Sequence, residues 1–244
     1  MLTRPPWIQF GDVNRRRLRF LWDDLRVNYD FTGDATRVVG AAIRMSIRAR
    51  LVLLVGLYEW VVWRFDGLHQ RPEPAQIAEA AWCGTVDPAY LRFFELPREE
   101  WVGPVDGPLW CAFTFLEHGF RNAQQNHLDT YQALEFVFLL AWHVIPARRD
   151  FEAWTNAVLK RCVDTFPTRP EDPFVDLFEE RVAQHLGGVI GRDALNPALP
   201  PDAVRDRAFL VQALQQARAE RNPFLATEGD LKDRAFRGVP YTVP

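Results

Sequence analysis

The sequence predicts an all-α fold, a single-domain irregular bundle of about seven to nine helices joined by long loops that contain proline and glycine. Apolar residues recur at helical spacing through most of the 244 residues, and alternating strand patterns are nearly absent. A chain of this length with 48% hydrophobic residues can bury a core without disulfides or metal. Residues 1–244 are therefore expected to form one helical domain, with an irregular leader over 1–11 and an irregular tail over 222–244.

The first half of the chain is predicted to place one apolar helix at the centre of the bundle. A first helix is expected over residues 12–28, where four apolar side chains follow helical spacing. Asp34 is the expected N-cap of a long second helix that runs to about Phe65. From Leu51 onward this helix is apolar on nearly every side, which is typical of a helix at the centre of a bundle. Two shorter helices are expected next, over residues 75–82 and 87–96.

Proline and glycine divide the second half of the chain into helices and irregular stretches. Residues 97–108 contain three prolines and two glycines and are expected to form a loop. A second irregular stretch is expected over 187–201, and Asp202 is the expected N-cap of the last long helix. Helices are predicted over residues 109–125, 128–145, 151–166, 173–186 and 202–221.

Cysteine usage and hydropathy favour a cytoplasmic protein with no membrane insertion. Cys83, Cys111 and Cys162 stand far apart and form no CxxC pair, as expected of reduced thiols. The longest apolar run, residues 51–63, is interrupted by Glu59 and is shorter than the ~20 residues that cross a bilayer. The start of the chain lacks the charged and apolar regions of a secretory signal.

No motif in the sequence names a reaction. Ser46 is the only serine, and it falls within a predicted helix rather than in a nucleophile elbow. Cys111 has apolar neighbours, which raise the pKa of a thiol rather than activate it. The glycines of 187–191 lack the preceding strand and the lysine of a phosphate-binding loop. The sequence therefore predicts no catalytic residue, no cofactor and no metal.

Polar side chains inside apolar helices keep one enzymatic alternative open. A buried carboxylate is costly unless it is paired, hydrogen-bonded, protonated or bound to a metal. We interpret Glu59 and Glu135 as partners of arginine in structural ion pairs. The alternative is an enzyme with an internal carboxylate or histidine site, with or without a metal, although the Glu-x-x-His motif of di-iron bundles is absent. The candidate residues of that site are Glu59, Glu117, His118, Glu135 or His143.

Acidic residues are concentrated in two stretches of the chain. Residues 67–119 hold three basic and eight acidic side chains, and residues 164–180 hold one basic and six acidic side chains. If the two stretches meet on one face, that face attracts a basic partner. The predicted partner-binding residues are Glu95, Glu99, Glu100, Trp101, Asp106, Glu171, Asp172 and Asp176.

Trp101 has two interpretations at the level of sequence. A tryptophan in a loop beside Glu99 and Glu100 resembles an aromatic anchor that inserts into a partner. The other interpretation is that the ring packs back on its own domain.

The sequence predicts a non-catalytic protein-binding domain, most concretely a bacterial immunity-type inhibitor that neutralises a cognate toxin or effector. The bundle enzyme described above and a structural or regulatory subunit of an oligomer are the alternatives. Nucleic acid is not an expected partner, because the net charge is −3 and the one basic cluster is Arg15–Arg17 with Arg19.

Overall fold

A computed structural model describes residues 2–9, 17–26, 31–125, 127, 129–169 and 181–244. The described residues form nine α-helices and no β-strand, so the predicted all-α helical bundle is confirmed. The helices are α1 (Thr36–Ala42), α2 (Ile47–Phe65), α3 (Glu73–Val86), α4 (Gly103–Gln124), α5 (Tyr131–Val144), α6 (Arg148–Thr165), α7 (Arg181–His185), α8 (Ala203–Ala219) and α9 (Glu228–Asp233). Short 3₁₀ turns occur at Pro88–Tyr90, Arg98–Glu100 and Arg192–Leu195.

Helix α2 is the central element of the bundle, as its apolar sequence predicts. Every residue of α2 except Trp63 is buried. The helix packs against α3, α4 and α5, and the ring of Trp60 meets Phe151 and Trp154 of α6 at centroid distances of 5.2 and 5.5 Å. Helices α1 and α8 form an outer layer, α1 against α5 and α6 and α8 against α3. No helix among the described residues is long and apolar enough to span a membrane.

The prediction of one continuous helix from Asp34 to Phe65 is wrong, because residues 43–46 separate α1 from α2. Two long-range backbone bonds hold this break, since Ser46 N–H donates to Phe166 O and Thr168 N–H donates to Arg44 O. Tertiary contacts thus override the local helical pattern.

Buried arginine side chains also hold the break between α1 and α2. Arg50 donates through Nε to Met45 O at 3.1 Å. Arg48 donates to Thr85 O and Val86 O at the end of α3 and to Gly187 O. Ser46 caps α2, because its hydroxyl accepts a hydrogen bond from Ala49 N–H.

The helix predicted over 12–28 is wrong wherever the structure describes it, because residues 17–26 form an irregular arm that turns at Asp24 and Leu25, where Arg26 N–H donates to Asp23 O. Along this arm the even-numbered residues 18–24 are half-buried and their odd-numbered neighbours are exposed, which is the two-residue period of an extended chain. Phe20 packs its ring against Phe65, with centroids 6.1 Å apart. Leu21 and Leu25, expected in a helical core, are 84% and 94% exposed.

Two further helix boundaries, both close to prolines, differ from the prediction. The loop predicted over 97–108 is helical from Gly103. Pro104 stands in the first turn, where N–H groups have no partner, whereas Pro108 lies inside the helix and cannot donate a backbone hydrogen bond there. The helix predicted over 87–96 is only the 3₁₀ turn Pro88–Tyr90. After it the backbone pairs with another segment, since Arg92 N–H donates to Phe224 O and Ala226 N–H donates to Tyr90 O.

The remaining elements agree with the sequence. Asp202 caps α8 as predicted and accepts hydrogen bonds from Val204 N–H and Arg205 N–H. Helix α7 falls within the helix predicted over 173–186, of which residues 173–180 lie outside the described part. The tail is more ordered than expected, because α9 begins with a capping box formed by Thr227 and Asp230.

Candidate functional site

The acidic segment 95–106 is fastened to the arm 17–26 by one carboxylate, that of Asp24. Its Oδ1 lies 2.9 Å from Arg98 Nη2 and accepts a hydrogen bond from Trp22 Nε1 at 2.9 Å. Its Oδ2 accepts a hydrogen bond from Gly103 N–H, at the start of α4, at 2.7 Å. Arg98 and Gly103 of one distant segment thus converge on Asp24 together with the neighbouring Trp22, and they fix the arm against the acidic segment.

The environment of Asp24 favours its ionised form. Partial burial alone raises the pKa of this carboxyl, but the hydrogen bonds from Trp22 and Gly103 and the charge of Arg98 outweigh that effect. The net result is a pKa below the ordinary value of 3.8.

Trp101 packs on its own domain, so its assignment as a partner-binding anchor is corrected here. The side chain is 1% exposed. Its ring lies edge-on to Phe113 with centroids 4.9 Å apart, and the guanidinium of Arg71 lies 4.3 Å from its centroid. A ring held between an aromatic neighbour and an arginine is not available to a partner.

Asp106 is half-buried and its charge is already balanced. Its Oδ2 lies 3.0 Å from Arg71 Nε, and the same guanidinium donates to the backbone oxygen of Glu100. Asp106 therefore holds the acidic segment in place instead of presenting a free charge, a further correction to the predicted binding set.

The other predicted acids of this segment are free. Glu95, Glu99 and Glu100 are exposed, and no carboxylate of the three has a hydrogen bond or an ion pair in the part of the chain that the structure describes. Glu99 and Glu100 stand side by side on the 3₁₀ turn Arg98–Glu100. Glu95 lies nearer Glu117, where its charge adds to the effect of burial in raising the pKa of the Glu117 carboxyl.

The second predicted acidic site lies outside the described residues. This applies to Glu171, Asp172 and Asp176. The convergence of the two acidic stretches on one face therefore stays a prediction.

Three exposed apolar side chains that the sequence did not mark for partner binding lie on the arm and at the start of α4. Leu21 and Leu25 lie on the outer face of the arm, and Val102 is 57% exposed next to Gly103. Asp24 contacts both Arg98 and Gly103, so the arm lies against the acidic segment, and we treat these exposed residues of the two segments as one surface. We call it the acidic–apolar surface. It comprises Leu21, Leu25, Glu99, Glu100 and Val102.

A detectable signal for this arm was present in the sequence. Leu18, Phe20 and Trp22 stand at every second position, which is a strand-like period, and the polar Arg19 separates the first two. Asp23 is a turn former, and its Oδ1 accepts a hydrogen bond from Leu25 N–H at 2.9 Å.

Glu59 forms a buried ion pair, as predicted. Its Oε1 lies 2.7 Å from Arg192 Nη2 and accepts a hydrogen bond from Trp82 Nε1 at 3.0 Å, and its Oε2 accepts one from Arg192 Nε at 3.2 Å. Burial raises the pKa of Glu59, and the favourable interactions with Arg192 and Trp82 oppose that rise without cancelling it.

The other residues of the enzymatic alternative have separate partners. Glu117 pairs with Arg121 of the next helical turn at 3.0 Å, and His143 Nε2 lies 2.7 Å from Leu21 O. Glu135 is half-buried, contrary to the expectation of a fully buried carboxylate, and the described residues provide it with no ion pair. His118 Nε2 lies 3.5 Å from Asn122 Nδ2.

Two further observations concern reactive and metal-binding groups. Burial raises the pKa of Cys111 to about 12, as its apolar neighbours predict. The part of the chain that the structure describes has no group of three or more His, Cys, Asp and Glu side chains suited to hold a metal ion.

Comparison with known proteins adds no functional assignment. No protein-family model, curated protein or solved structure matches the chain. The function is therefore argued from the chemistry of the acidic–apolar surface itself.

Proposed function

We propose that this protein is a non-catalytic protein-binding domain that holds a basic protein on its acidic–apolar surface. One observation supports this most strongly. Glu99 and Glu100 are exposed and unpaired within the described residues, and the arm that Asp24 fastens to their segment carries the exposed side chains of Leu21 and Leu25. Free charge and free apolar area in one place are what a specific interface requires.

The two kinds of side chain have different roles in the proposed complex. The adjacent carboxylates accelerate the approach of a basic surface and pair with its Arg or Lys side chains. Leu21 and Leu25 provide apolar area whose burial is worth about 1.5–3 kcal/mol for each fully buried side chain. Single exposed leucines are common on proteins, so the argument depends on their grouping with the acids.

The fixed geometry of this surface favours binding. Asp24 and Arg71 hold the arm and the acidic segment in one arrangement before a partner arrives. A surface that is already ordered loses little conformational entropy when it binds. The proposed partner therefore has basic side chains around an apolar patch.

The most specific form of the proposal is an immunity-type inhibitor of bacterial origin, which occludes the active site of a basic toxin or effector in the cytoplasm. All three cysteines are free and buried, which supports a reducing compartment. An oligomer contact through the same surface is the alternative. It predicts self-association, whereas the inhibitor requires a different basic chain.

The proposal is tested by affinity capture at low and moderate salt with a matched pair of variants. Glu99→Lys/Glu100→Lys reverses two charges on the acidic–apolar surface, and Glu228→Lys/Asp233→Lys makes the same change in charge on α9. We expect wild type and the α9 variant to retain one stoichiometric basic protein whose own activity falls on binding, and the surface variant to lose it.

Association rates with the purified partner complete the test. We expect the surface variant to associate about tenfold more slowly at low salt and with a flatter salt dependence. Equal rates for the two variants, or a concentration-dependent oligomer of this chain in place of a captured partner, would reject the proposal.

A further inference from the structure

A cavity of about 370 Å³ lies on the other side of α3 from the bundle core. Its walls come from the segment of residues 2–7, from α3, from α8 and from the 3₁₀ turn Arg192–Leu195. The rings of Trp82 and Phe209 form an aromatic corner, edge to face with centroids 5.2 Å apart. Leu2 ties the covering segment to α3, because its N–H donates to Glu79 Oε1 at 2.8 Å.

Two side chains of the cavity wall have a donor without a partner in the described residues, Trp7 through its buried Nε1 and Arg192. Arg192 is only 8% exposed, and its Nε and Nη2 donate to Glu59. Its third nitrogen, Nη1, makes no hydrogen bond to any residue in the described ranges. A guanidinium carries five N–H donors, so a buried arginine with a free nitrogen in a cavity wall is suited to an acceptor atom of a ligand.

The charges next to Arg192 are balanced in pairs, while Arg4 of the covering segment is exposed to water and Glu79 accepts the hydrogen bond from Leu2. The Glu59 carboxylate neutralises Arg192, and Asp193 lies 3.8 Å from Arg205. A ligand anion near Nη1 meets the opposing charge of Glu59, and a ligand cation meets the guanidinium. Burial of an unpaired charge is costly, so the electrostatics favour an uncharged molecule with an acceptor oxygen.

We propose that this cavity binds a small, uncharged, planar aromatic molecule whose carbonyl oxygen accepts a hydrogen bond from Arg192 Nη1 while its ring packs on Trp82 and Phe209. The volume falls within the range of small-molecule sites, which are mostly apolar with a few fixed polar groups. The site shares no residue with the acidic–apolar surface. It therefore stands independently of the proposed partner.

A matched pair of probes tests the hydrogen bond. Coumarin has a ring carbonyl, and 2H-chromene has the same fused rings without it. Both are titrated against the full chain, and binding is followed through the indole N–H signal of Trp82 in ¹H–¹⁵N NMR spectra. We expect a saturable shift with coumarin and about five- to tenfold weaker binding of 2H-chromene, the loss that one hydrogen bond typically causes.

Variants locate the site. Ala213→Phe places a ring in the cavity wall on α8, and we expect it to weaken both probes more than tenfold. Gln215→Phe adds the same ring to an exposed position of α8 outside the wall and serves as the control. Glu59→Gln/Arg192→Met removes the donor together with its charge partner, and we expect it to bring coumarin to the affinity of 2H-chromene.

Three results would overturn the proposal. They are equal affinities of the two probes for wild type, coumarin binding that Ala213→Phe leaves intact, and no saturable Trp82 shift at the solubility limit of coumarin. If the double variant does not fold, the wild-type probe pair and the two α8 variants still decide the question.

Discussion

The protein contains the same three-residue arrangement twice, once in its core and once at its surface. In each, a carboxylate accepts a hydrogen bond from a tryptophan Nε1 and pairs with an arginine from a distant segment. The core triad is Glu59, Trp82 and Arg192, and the surface triad is Asp24, Trp22 and Arg98. We refer to them as the core triad and the surface triad.

Burial is the main difference between the triads, and it reverses the shift in pKa. The carboxylate side chain is 1% exposed in Glu59 and 29% exposed in Asp24. Loss of water dominates for Glu59, whose pKa is raised, whereas hydrogen bonds and charge dominate for Asp24, whose pKa is lowered. One set of partners therefore supports the packed interior in one place and fastens the arm to the acidic segment in the other.

The largest expected effect is the loss of one charge from the core triad. Arg192→Met leaves the carboxylate of Glu59 buried without its partner, and we expect the free energy of unfolding to fall by about 3–5 kcal/mol. Urea denaturation measures this. Glu59→Gln/Arg192→Met is the control and is expected to recover most of the loss. A double variant as unstable as the single one would contradict this account.

The second largest effect is expected when the tryptophan donor is removed, and it should cost more stability in the core triad than in the surface triad. Trp82→Phe leaves Oε1 of Glu59 with one partner fewer in a buried site, at a cost of about 1–3 kcal/mol in unfolding free energy. Trp22→Phe leaves an acceptor that water can reach, and we expect a cost below about 1 kcal/mol. Similar losses in the two variants would show that burial does not set the difference.

The surface triad is expected to control local order more than global stability. Asp24→Asn keeps the shape of the side chain but removes its charge. This weakens the ion pair with Arg98 and the hydrogen bond from Gly103 N–H, and we expect the contacts of the arm to lose about 1 kcal/mol. We expect faster tryptic cleavage after Arg19 and Arg26 of the arm, with the unfolding midpoint little changed. Asp233→Asn, an exposed change on α9, is the control and should leave cleavage of the arm unaltered.

The two carboxyls are expected to respond to pH in opposite directions. The stabilising contribution of Asp24 is complete above its ordinary value of 3.8 and is lost as the pH falls through its lowered folded pKa. Glu59 has a raised folded pKa, so its unfavourable contribution is relieved as the pH falls through that pKa towards its ordinary value of 4.5.

Unfolding free energies from about pH 7 to about pH 3 test these signs. The difference between wild type and Asp24→Asn should shrink at the acid end. The difference between wild type and Glu59→Gln/Arg192→Met should shift in favour of wild type as the pH falls through the raised pKa. The same pH trend in both comparisons would contradict the assigned shifts.

The smallest expected effect on stability is at the acidic–apolar surface itself. Leu25 is 94% exposed, so Leu25→Ser should change the unfolding free energy by no more than about 0.5 kcal/mol. On the proposed function, the same variant dissociates several-fold faster from the partner. Gln215→Ser, another exposed position, is the control for dissociation.

Local pattern was sufficient to predict the core of the fold. The apolar run of α2 identified the central helix, Asp202 identified the start of α8, and the cost of a buried carboxylate identified the pairing of Glu59 with an arginine. Each of these depends on the physics of one segment or one side chain.

The errors lie where distant segments decide the outcome. The break at residues 43–46 depends on backbone hydrogen bonds with Phe166 and Thr168, which lie more than 100 residues away in the sequence. The apolar residues of the arm 17–26 fit the spacing of a helix and the two-residue period of an extended chain equally well. Only the contacts that Asp24 makes with a distant segment favour the extended form. The same holds for Trp101, whose loop position gave no indication of the Arg71 and Phe113 that enclose it.

Arg48 has a consequence for the order in which the chain assembles. Its guanidinium reaches the carbonyls of Thr85, Val86 and Gly187, so one side chain near the start of α2 closes loops of 37, 38 and 139 residues in sequence separation. Contacts of such range form late, because the entropy of loop closure is lost before they contribute. During synthesis the contact between Arg48 and Gly187 therefore forms only after residue 187 has left the ribosome, and it couples the start of α2 to the C-terminal half of the chain.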